Sequence, residues 1–236
     1  MPLAFTMGQQ PVKPMIVAID GPAGAGKSTI ARRVAARLGA VYIDTGAMYR
    51  AVALLALRSN TDLADAARLE ALARSAEIGF EAGSARTLLN GEDVSEAIRK
   101  PEVSPAASKV SAIPGVRRAL VEMQRRMGAA ASVVMEGRDI GTGVFPKAEV
   151  KIFLDADPDV RAARRVRELQ EKGQAPPAAE VAREIRERDH RDSTRADSPL
   201  IAARDAIRLD TTALSLDRVE QAILEVIVSR RLMADG

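Results

Sequence analysis

Gly21-Pro22-Ala23-Gly24-Ala25-Gly26-Lys27-Ser28-Thr29 is the stretch on which the reading of this chain turns. It fits the phosphate-loop pattern G-x-x-x-x-G-K-[ST] at every fixed position. Met15-Ile16-Val17-Ala18-Ile19 runs before it, an apolar, β-branched segment that predicts a buried strand. Residues 30–38 follow, with apolar side chains at helical spacing. The strand, loop and helix that the motif needs are all predicted. Glycines let the backbone curl so that successive N–H groups face one anion, and the helix beginning near Lys27 aims its positive end at the same place. Lys27 supplies a cation for β- and γ-phosphates, and the Ser28 hydroxyl is a candidate ligand for Mg2+.

The chain has 236 residues, 47% of them hydrophobic, enough for one α/β domain with insertions and short for two. It has no cysteine, which excludes disulfides and thiolate metal sites and fits a cytoplasmic setting. No apolar run approaches the ~18 residues of a membrane-spanning helix. Residues 1–14 hold three prolines and no long apolar core, and predict a disordered leader rather than a signal peptide. The net charge is +3 and the isoelectric point is 9.4. Such a surface suits nucleic acid or small anions. Aromatic residues make up only 3% and tryptophan is absent, so platforms for stacking single strands are scarce and small anionic partners are favoured.

Val41-Tyr42-Ile43 predicts a second strand, which runs through Asp44-Thr45-Gly46 into a helix over residues 47–57. The repeated strand-to-helix step indicates parallel winding and puts Thr45 and Arg50 near the mouth of the sheet. Between residues 60 and 128 the pattern changes. Residues 77–81 and 86–90 alternate as strands around Gly83-Ser84, Asn90-Gly91 marks a turn, and helices are predicted over 103–111 and 116–127. This reads as a small α+β insertion, in which Ser108 and Arg117 are structural by default.

Ser132-Val133-Val134-Met135 predicts the next buried strand. It ends in Glu136-Gly137-Arg138-Asp139-Ile140-Gly141-Thr142-Gly143, and charged residues at the carboxyl end of a parallel strand lie where open α/β sheets bind ligands. Residues 150–154 and 206–210 complete a five-stranded sheet. Between them Asp157 caps a helix opening at Pro158, which carries Arg161, Arg164, Arg165 and Arg167. After a break at 173–177 a second helix carries Arg183, Arg186, Arg188, Arg191 and Arg195. Interleaved acids make part of this run a solvated, salt-bridged face, while two arginine-rich helices on a flexible turn suit a lid that closes over phosphates. Residues 214–232 predict a closing helix capped by Ser215, and the single histidine, His190, reads as solvated.

With these segments assembled, the chain resembles the bacterial-type cytidylate kinases of the nucleoside monophosphate kinase family. The matching motifs are Ile19-Asp20-Gly21-Pro22-Ala23-Gly24-Ala25-Gly26-Lys27-Ser28, Asp44-Thr45-Gly46-Ala47-Met48-Tyr49-Arg50, Glu136-Gly137-Arg138-Asp139-Ile140-Gly141-Thr142, Lys151-Ile152-Phe153-Leu154-Asp155-Ala156 and Arg188-Asp189-His190-Arg191-Asp192-Ser193-Thr194-Arg195-Ala196. The resemblance runs from residue 15 to about residue 228 and implies an α/β P-loop kinase fold. That fold has a five-stranded parallel sheet flanked by helices, an insertion over 60–128 that binds the monophosphate and an arginine-rich helical lid over 158–195, all within one domain of residues 15–236.

It implies phosphoryl transfer from ATP to CMP or dCMP with Mg2+. Gly21, Pro22, Ala23, Gly24, Ala25, Gly26, Lys27, Ser28 and Thr29 would hold the ATP phosphates, with Ser28 on the metal. Thr45, Arg50, Ser108, Arg117, Arg138, Asp139, Arg188, Asp192 and Arg195 fall where the family binds the monophosphate. Lys27, Arg161, Arg165 and Arg188 would neutralise the transferring group. Asp139 would accept from cytosine N4, with Arg117 and Ser108 donating to N3 and O2. Some relatives carry serine at the Thr45 position or aspartate at the Glu136 position, changes that preserve the chemistry. A monomer with no nucleic-acid or membrane partner is expected.

Three other readings compete. A GTPase switch would carry an Asn-Lys-x-Asp motif, and neither asparagine, Asn60 or Asn90, precedes a lysine. A nucleic-acid-dependent ATPase is suggested by the isoelectric point alone. A kinase for another small acceptor, such as adenylate or shikimate, fits the middle insertion and Gly137-Arg138-Asp139 poorly.

Overall fold

The computed structural model describes residues 14–81, 83–84, 86–171, 173–195 and 197–234. The expected leader therefore falls, up to residue 13, outside the described residues. In chain order, β1 (Ile16–Asp20) leads into α1 (Lys27–Leu38), and β2 (Val41–Asp44) into α2 (Thr45–Arg58). Then follow α3 (Ala66–Ser75), the short strands β3 (Ile78–Phe80), β4 (Thr87–Leu89) and β5 (Glu92–Asp93), and helices α4 (Val103–Val110) and α5 (Pro114–Ala130). After β6 (Val133–Gly137) comes a wide turn of π-helical form, Ile140–Val144. The chain ends with β7 (Val150–Asp155), α6 (Pro158–Glu171), α7 (Ala178–Thr194), β8 (Ile207–Asp210) and α8 (Leu216–Ala234).

The main sheet has five parallel strands in the order β2-β6-β1-β7-β8, as the α/β reading expects. Ile19 pairs in register with Glu136 on one side and Ile152 on the other. Strand side chains alternate between faces, and the core divides accordingly. Val17 and Ile19 of β1 point with Val134, Ile152 and Leu154 into a layer closed by Ile30 and Val34 of α1 and Ile223 and Ile227 of α8. Ala18, Ile43, Val133 and Met135 point the other way, toward Met48 and Val52 of α2. Each fully buried side chain of this size stabilises the fold by about 1.5–3 kcal/mol.

That second layer does not stop at α2. It continues without a gap through Leu69 of α3, Ile78 and Leu89 of the small sheet, and Leu120 of α5. The small sheet is antiparallel in the order β3-β4-β5. Asn90 and Gly91 both take positive φ, 51° and 83°, which joins β4 to β5 by the tight reversal that Asn-Gly favours. The brief β5 and the helix α3, which Asp65 caps by accepting from Arg68 N at 2.9 Å, go beyond the elements expected from the sequence. Their signals are weak: β5 has two paired residues, and α3 buries only Leu69 and Ala73.

The two arginine-rich helices share only a small cluster of their own, Ala162, Val181 and Ile185. Asp157 caps α6 by accepting from Asp159 N at 2.9 Å, and Ser215 caps α8 by accepting from Arg218 N at 3.3 Å, as expected. Among the described residues, no helix is long and apolar enough to cross a membrane.

Candidate active site

The glycine-rich loop leaves β1 at Gly21, where φ is 149° and the carbonyl oxygen of Leu154 lies 2.0 Å from where a Cβ would sit. Only glycine fits there, so the loop starts pressed against β7. Gly24 and Gly26 also take positive φ, and Gly26 is the residue from which α1 begins. These conformations turn the loop back over the helix N-terminus. Lys27 is buried, and its Nζ donates to the Pro22 carbonyl at 2.7 Å across the loop. Burial and then Arg138 push its pKa down, to about 7. Ser28 and Thr29 are exposed at the mouth, and the Ser28 hydroxyl lies within hydrogen-bonding reach of Glu136.

Beside this loop, α2 starts at Thr45 because Asp44 caps it, accepting from Ala47 N at 2.9 Å. The same carboxylate takes Arg50 NH2 at 2.8 Å. Thr45 Oγ1 donates to the Glu136 carbonyl at 2.7 Å and so stitches α2 to the end of β6. Glu136 is buried beneath, bonded to the Tyr42 hydroxyl; burial and then the nearby Asp44 raise its pKa. The Tyr42 phenol is raised as well, by burial first and Glu136 second.

Beyond β6, Arg138 Nε donates to Asp192 of α7 at 2.8 Å. Arg138 in turn is the first cause that lowers Arg188 on the same helix, to about 10, with burial second. Arg50 and Arg165 add to that repulsion. Lys27, Arg50, Arg138, Arg165 and Arg188 thus share one electrostatic neighbourhood. A second group adjoins it. Arg117 of α5 donates to Asp139 Oδ2 at 2.8 Å, Arg195 stands 3.6 Å from Asp139 Oδ1, and Asp197 stands 3.5 Å from Arg117 Nε. Tyr49 lies 3.5 Å from Arg117, with its phenol raised to about 12, chiefly by burial.

The arginines of α6 are not alike. Arg161 is buried, and its guanidinium donates to the Ala23 carbonyl of the glycine loop and to Ala156 O, both at 2.9 Å, and to Asp189 at 2.5 Å. Arg164 holds Thr211 through the hydroxyl at 2.9 Å and the carbonyl at 2.5 Å. Arg165 is half-buried and bonds Glu168 at 2.7 Å. Ser108 is exposed on α4, and among the described residues no hydrogen bond joins its side chain to Arg117 or Asp139.

Sequence reasoning assigns Asp20, Asp44 and Asp189 no role beyond their place in the matching motifs, and Glu136 only a place among the charged residues at a ligand-binding strand end. The four are acids that hold arginines, hydroxyls or backbone, and their signal was present. Asp20 and Asp44 each end a strand, beside a glycine or a helix cap, where a carboxylate has local donors to bind.

The arrangement fits nucleotide phosphates. Arg50 Nε and Arg195 NH2 are buried without a hydrogen-bond partner, donors that an anion would satisfy. The described residues contain no cluster of three histidines or acids that would hold a metal alone. Ser28 beside Glu136 offers instead the sparse protein contact of a Mg2+ carried on phosphates.

A family model described as cytidylate kinase matches residues 17–229. The chain is 61% identical over 220 residues to the cytidylate kinase of Solibacter usitatus (strain Ellin6076), covering 92% of this chain and 94% of that protein. It is 50% identical over 218 residues to the cytidylate kinase of Pelotomaculum thermopropionicum, covering 91% and 96%. A solved structure, of an uncharacterized protein from Eubacterium ventriosum ATCC 27560, aligns at a TM-score of 0.51 with 12% identity, over 92% of this chain and 99% of that one. That last likeness is one of fold alone.

Proposed function

The chain belongs to the cytidylate kinase family, and from that premise we propose how its site carries phosphoryl transfer from ATP to CMP or dCMP. The γ-phosphorus forms a bond to an oxygen of the monophosphate and releases its bond to the β–γ bridging oxygen, giving ADP and CDP or dCDP. The acceptor phosphate is already ionised, so the protein has to align the two nucleotides and spread the charge of the transferring group. Residues 21–29 cradle the donor phosphates, and Lys27 leaves the Pro22 carbonyl to follow the transferring phosphoryl group. Mg2+ bound with the donor, with Ser28 as its protein ligand, would neutralise charge on the β- and γ-oxygens.

On the acceptor side, Arg50, Arg138 and Arg188 receive the monophosphate, and Arg165 adds charge from the lid. Asp192 orients Arg138. Thr45 sets the height of α2 against β6. Asp139, held by Arg117 and Arg195, accepts from cytosine N4, while Arg117 and Ser108 donate to the ring. Arg161 acts through the glycine loop it grips rather than through open space.

The observation that carries this reading is the gathering of Lys27, Arg50, Arg138 and Arg188, with mutual repulsion between cations and a buried guanidinium nitrogen left unpaired. A bound phosphate relieves both. The reading includes a cytoplasmic monomer that acts on small nucleotides; the low aromatic content argues against a single-stranded nucleic acid.

The test is kcat/KM for CMP and UMP in wild type and Asp139→Asn. Uracil turns an acceptor toward Asp139 and an N–H toward Arg117. An unpaired buried polar group costs about 1–3 kcal/mol, more when charged, so wild type should prefer CMP by roughly a hundredfold or more. The variant should lose CMP activity and narrow the ratio, because an amide can donate to O4. An unchanged ratio would sink the assignment of Asp139 to the base.

A further inference from the structure

We propose that Asp20 is a positioning residue for acceptor selection: it holds in register the loop that presents Asp139, and so ties base recognition to the strand that launches the donor loop. The proposal rests on the reading of Asp139 as the residue that selects cytosine.

Asp20 is the last residue of β1 and stands directly before Gly21. It is 4% exposed. Its carboxylate does not face the nucleotide groups as a free charge. Both oxygens are used: Oδ1 accepts from Ile140 N and Oδ2 from Gly141 N, each at 2.8 Å. These are the two amides that follow Asp139. The turn they open closes on itself further along, where Gly143 N and Val144 N donate to the Asp139 carbonyl at 2.7 and 3.1 Å and Phe145 N donates to Ile140 O at 2.7 Å. The backbone supplies no acceptor at the head of the turn, and Asp20 fills that place from another strand.

The rest of the loop is pinned elsewhere. Arg125 of α5 donates to the Gly143 and Val144 carbonyls at 3.0 Å, and buried Lys151 of β7 donates to the Pro146 carbonyl at 2.6 Å. Those anchors lie four to seven residues beyond Asp139; Gly143 N and Val144 N hold the carbonyl of the peptide that follows Asp139, and Asp20 holds its N–H and the next one. Asp139 has little room to shift, since Gly143 sits so close that a Cβ there would lie 3.0 Å from Asp139 Oδ2. A small rotation of the 139–141 backbone would move that carboxylate off Arg117 and off the base. Burial lifts the Asp20 carboxyl to about 6, so the uncharged acid is populated in the folded chain near that pH.

The experiment uses the full chain, with CMP and UMP as acceptors at saturating ATP and with ATP varied at saturating CMP. Wild type, Asp20→Asn, Asp20→Ala and Asp139→Asn are compared, and amide exchange is followed at Ile140 and Gly141. Asn keeps one acceptor and loses the other, which is worth roughly tenfold in KM for CMP. Asp20→Asn should also narrow the CMP-to-UMP ratio in the sense of Asp139→Asn, with KM for ATP within about twofold of wild type. Asp20→Ala should go further. The two amides should exchange slowly in wild type and faster in both variants. Equal rises in KM for ATP and CMP with the base ratio kept would mark Asp20 as a structural cap only and overturn the proposal. Fast exchange at both amides in wild type would overturn it even if no variant folded. If Asp139→Asn narrows the ratio and Asp20→Asn does not, the role of Asp20 fails by itself. If Asp139→Asn keeps the ratio, the base-selecting reading fails, and with it any action of Asp20 through Asp139.

Discussion

The proposed donor loop draws its nine residues from one uninterrupted stretch, 21–29. The proposed acceptor pocket collects Thr45 and Arg50 from α2, Ser108 from α4, Arg117 from α5, Arg138 and Asp139 from the loop after β6, and Arg188, Asp192 and Arg195 from α7 and its end. The first is made mostly of backbone, with glycines at positive φ and a helix N-terminus, and a single buried cation. The second is made of side chains, with Arg50 held by Asp44, Arg117 by Asp139 and Arg138 by Asp192, each acid lying outside the arginine's own element. Backbone donors recognise any polyphosphate of the right shape. Ion pairs assembled across the fold can be tuned singly, which is what discrimination among acceptors requires.

The sharpest break in that contrast comes from Lys27, the one donor-loop side chain with a charge to give. Lys27→Ala should lower kcat by roughly 10²–10³-fold, the scale on which a single transition-state contact acts, with the circular dichroism spectrum unchanged. A kcat near wild type would leave the loop without a catalytic side chain.

Asp20 sits where the two regions meet, and its stability effect has a definite sign. Its folded pKa of about 6 lies above the ordinary 3.8, chiefly through burial. Between those values the folded state holds a proton that the unfolded chain has released, so this group costs stability as pH rises from about 4 to about 6. Unfolding free energies of wild type and Asp20→Asn, measured by denaturant titration from pH 4 to 7.5, should shift against wild type by up to about 3 kcal/mol as pH rises. A constant difference would mean that the carboxyl titrates as it does in the unfolded chain.

Asp192→Ala acts on the acceptor side alone. It frees Arg138 from its 2.8 Å partner and should raise KM for CMP roughly tenfold, with KM for ATP little changed. Equal changes in both would show that the two regions are not separable. The smallest effect concerns the two arginine-rich helices, α6 and α7. Arg161 and Arg164 are already committed, to Ala23 and Thr211, so a bisubstrate analogue should slow hydrogen exchange in α7 and leave the first turn of α6 nearly unchanged. Slowing confined to α6 would reverse which helix moves.

The same contrast governs what could be read before the fold was known. The donor loop was legible because its chemistry is local: glycines, lysine and serine at fixed spacing between a strand and a helix. The five parallel strands were legible as apolar runs, with edges within a residue or two. That slip mattered at one place, where the expected strand stopped at Ile19 and the observed one includes Asp20, whose partners lie 120 and 121 residues away. Pairings of such range leave no periodic mark. Arg117 meeting Asp139 and Arg138 meeting Asp192 became visible only through the family likeness, since local sequence gives an arginine no direction toward partners 22 and 54 residues away. The commitment of Arg161 to backbone carbonyls was invisible for the same reason: an arginine-rich helix reads alike whether its guanidinium groups face solvent or a neighbouring loop.

The unbroken apolar layer from Met135 and Met48 through Leu69 to Leu89 and Leu120 bears on protein engineering. The segment between α2 and β6 has no interior of its own. Its adhesive side is the underside of the catalytic sheet's helices. A graft of residues 60–128 into another kinase would arrive with that side bare, and its removal from this chain would strip the host of half a wall. Exchange of acceptor preference between such enzymes is therefore a matter of point changes at the rim of the pocket, not of cut and splice.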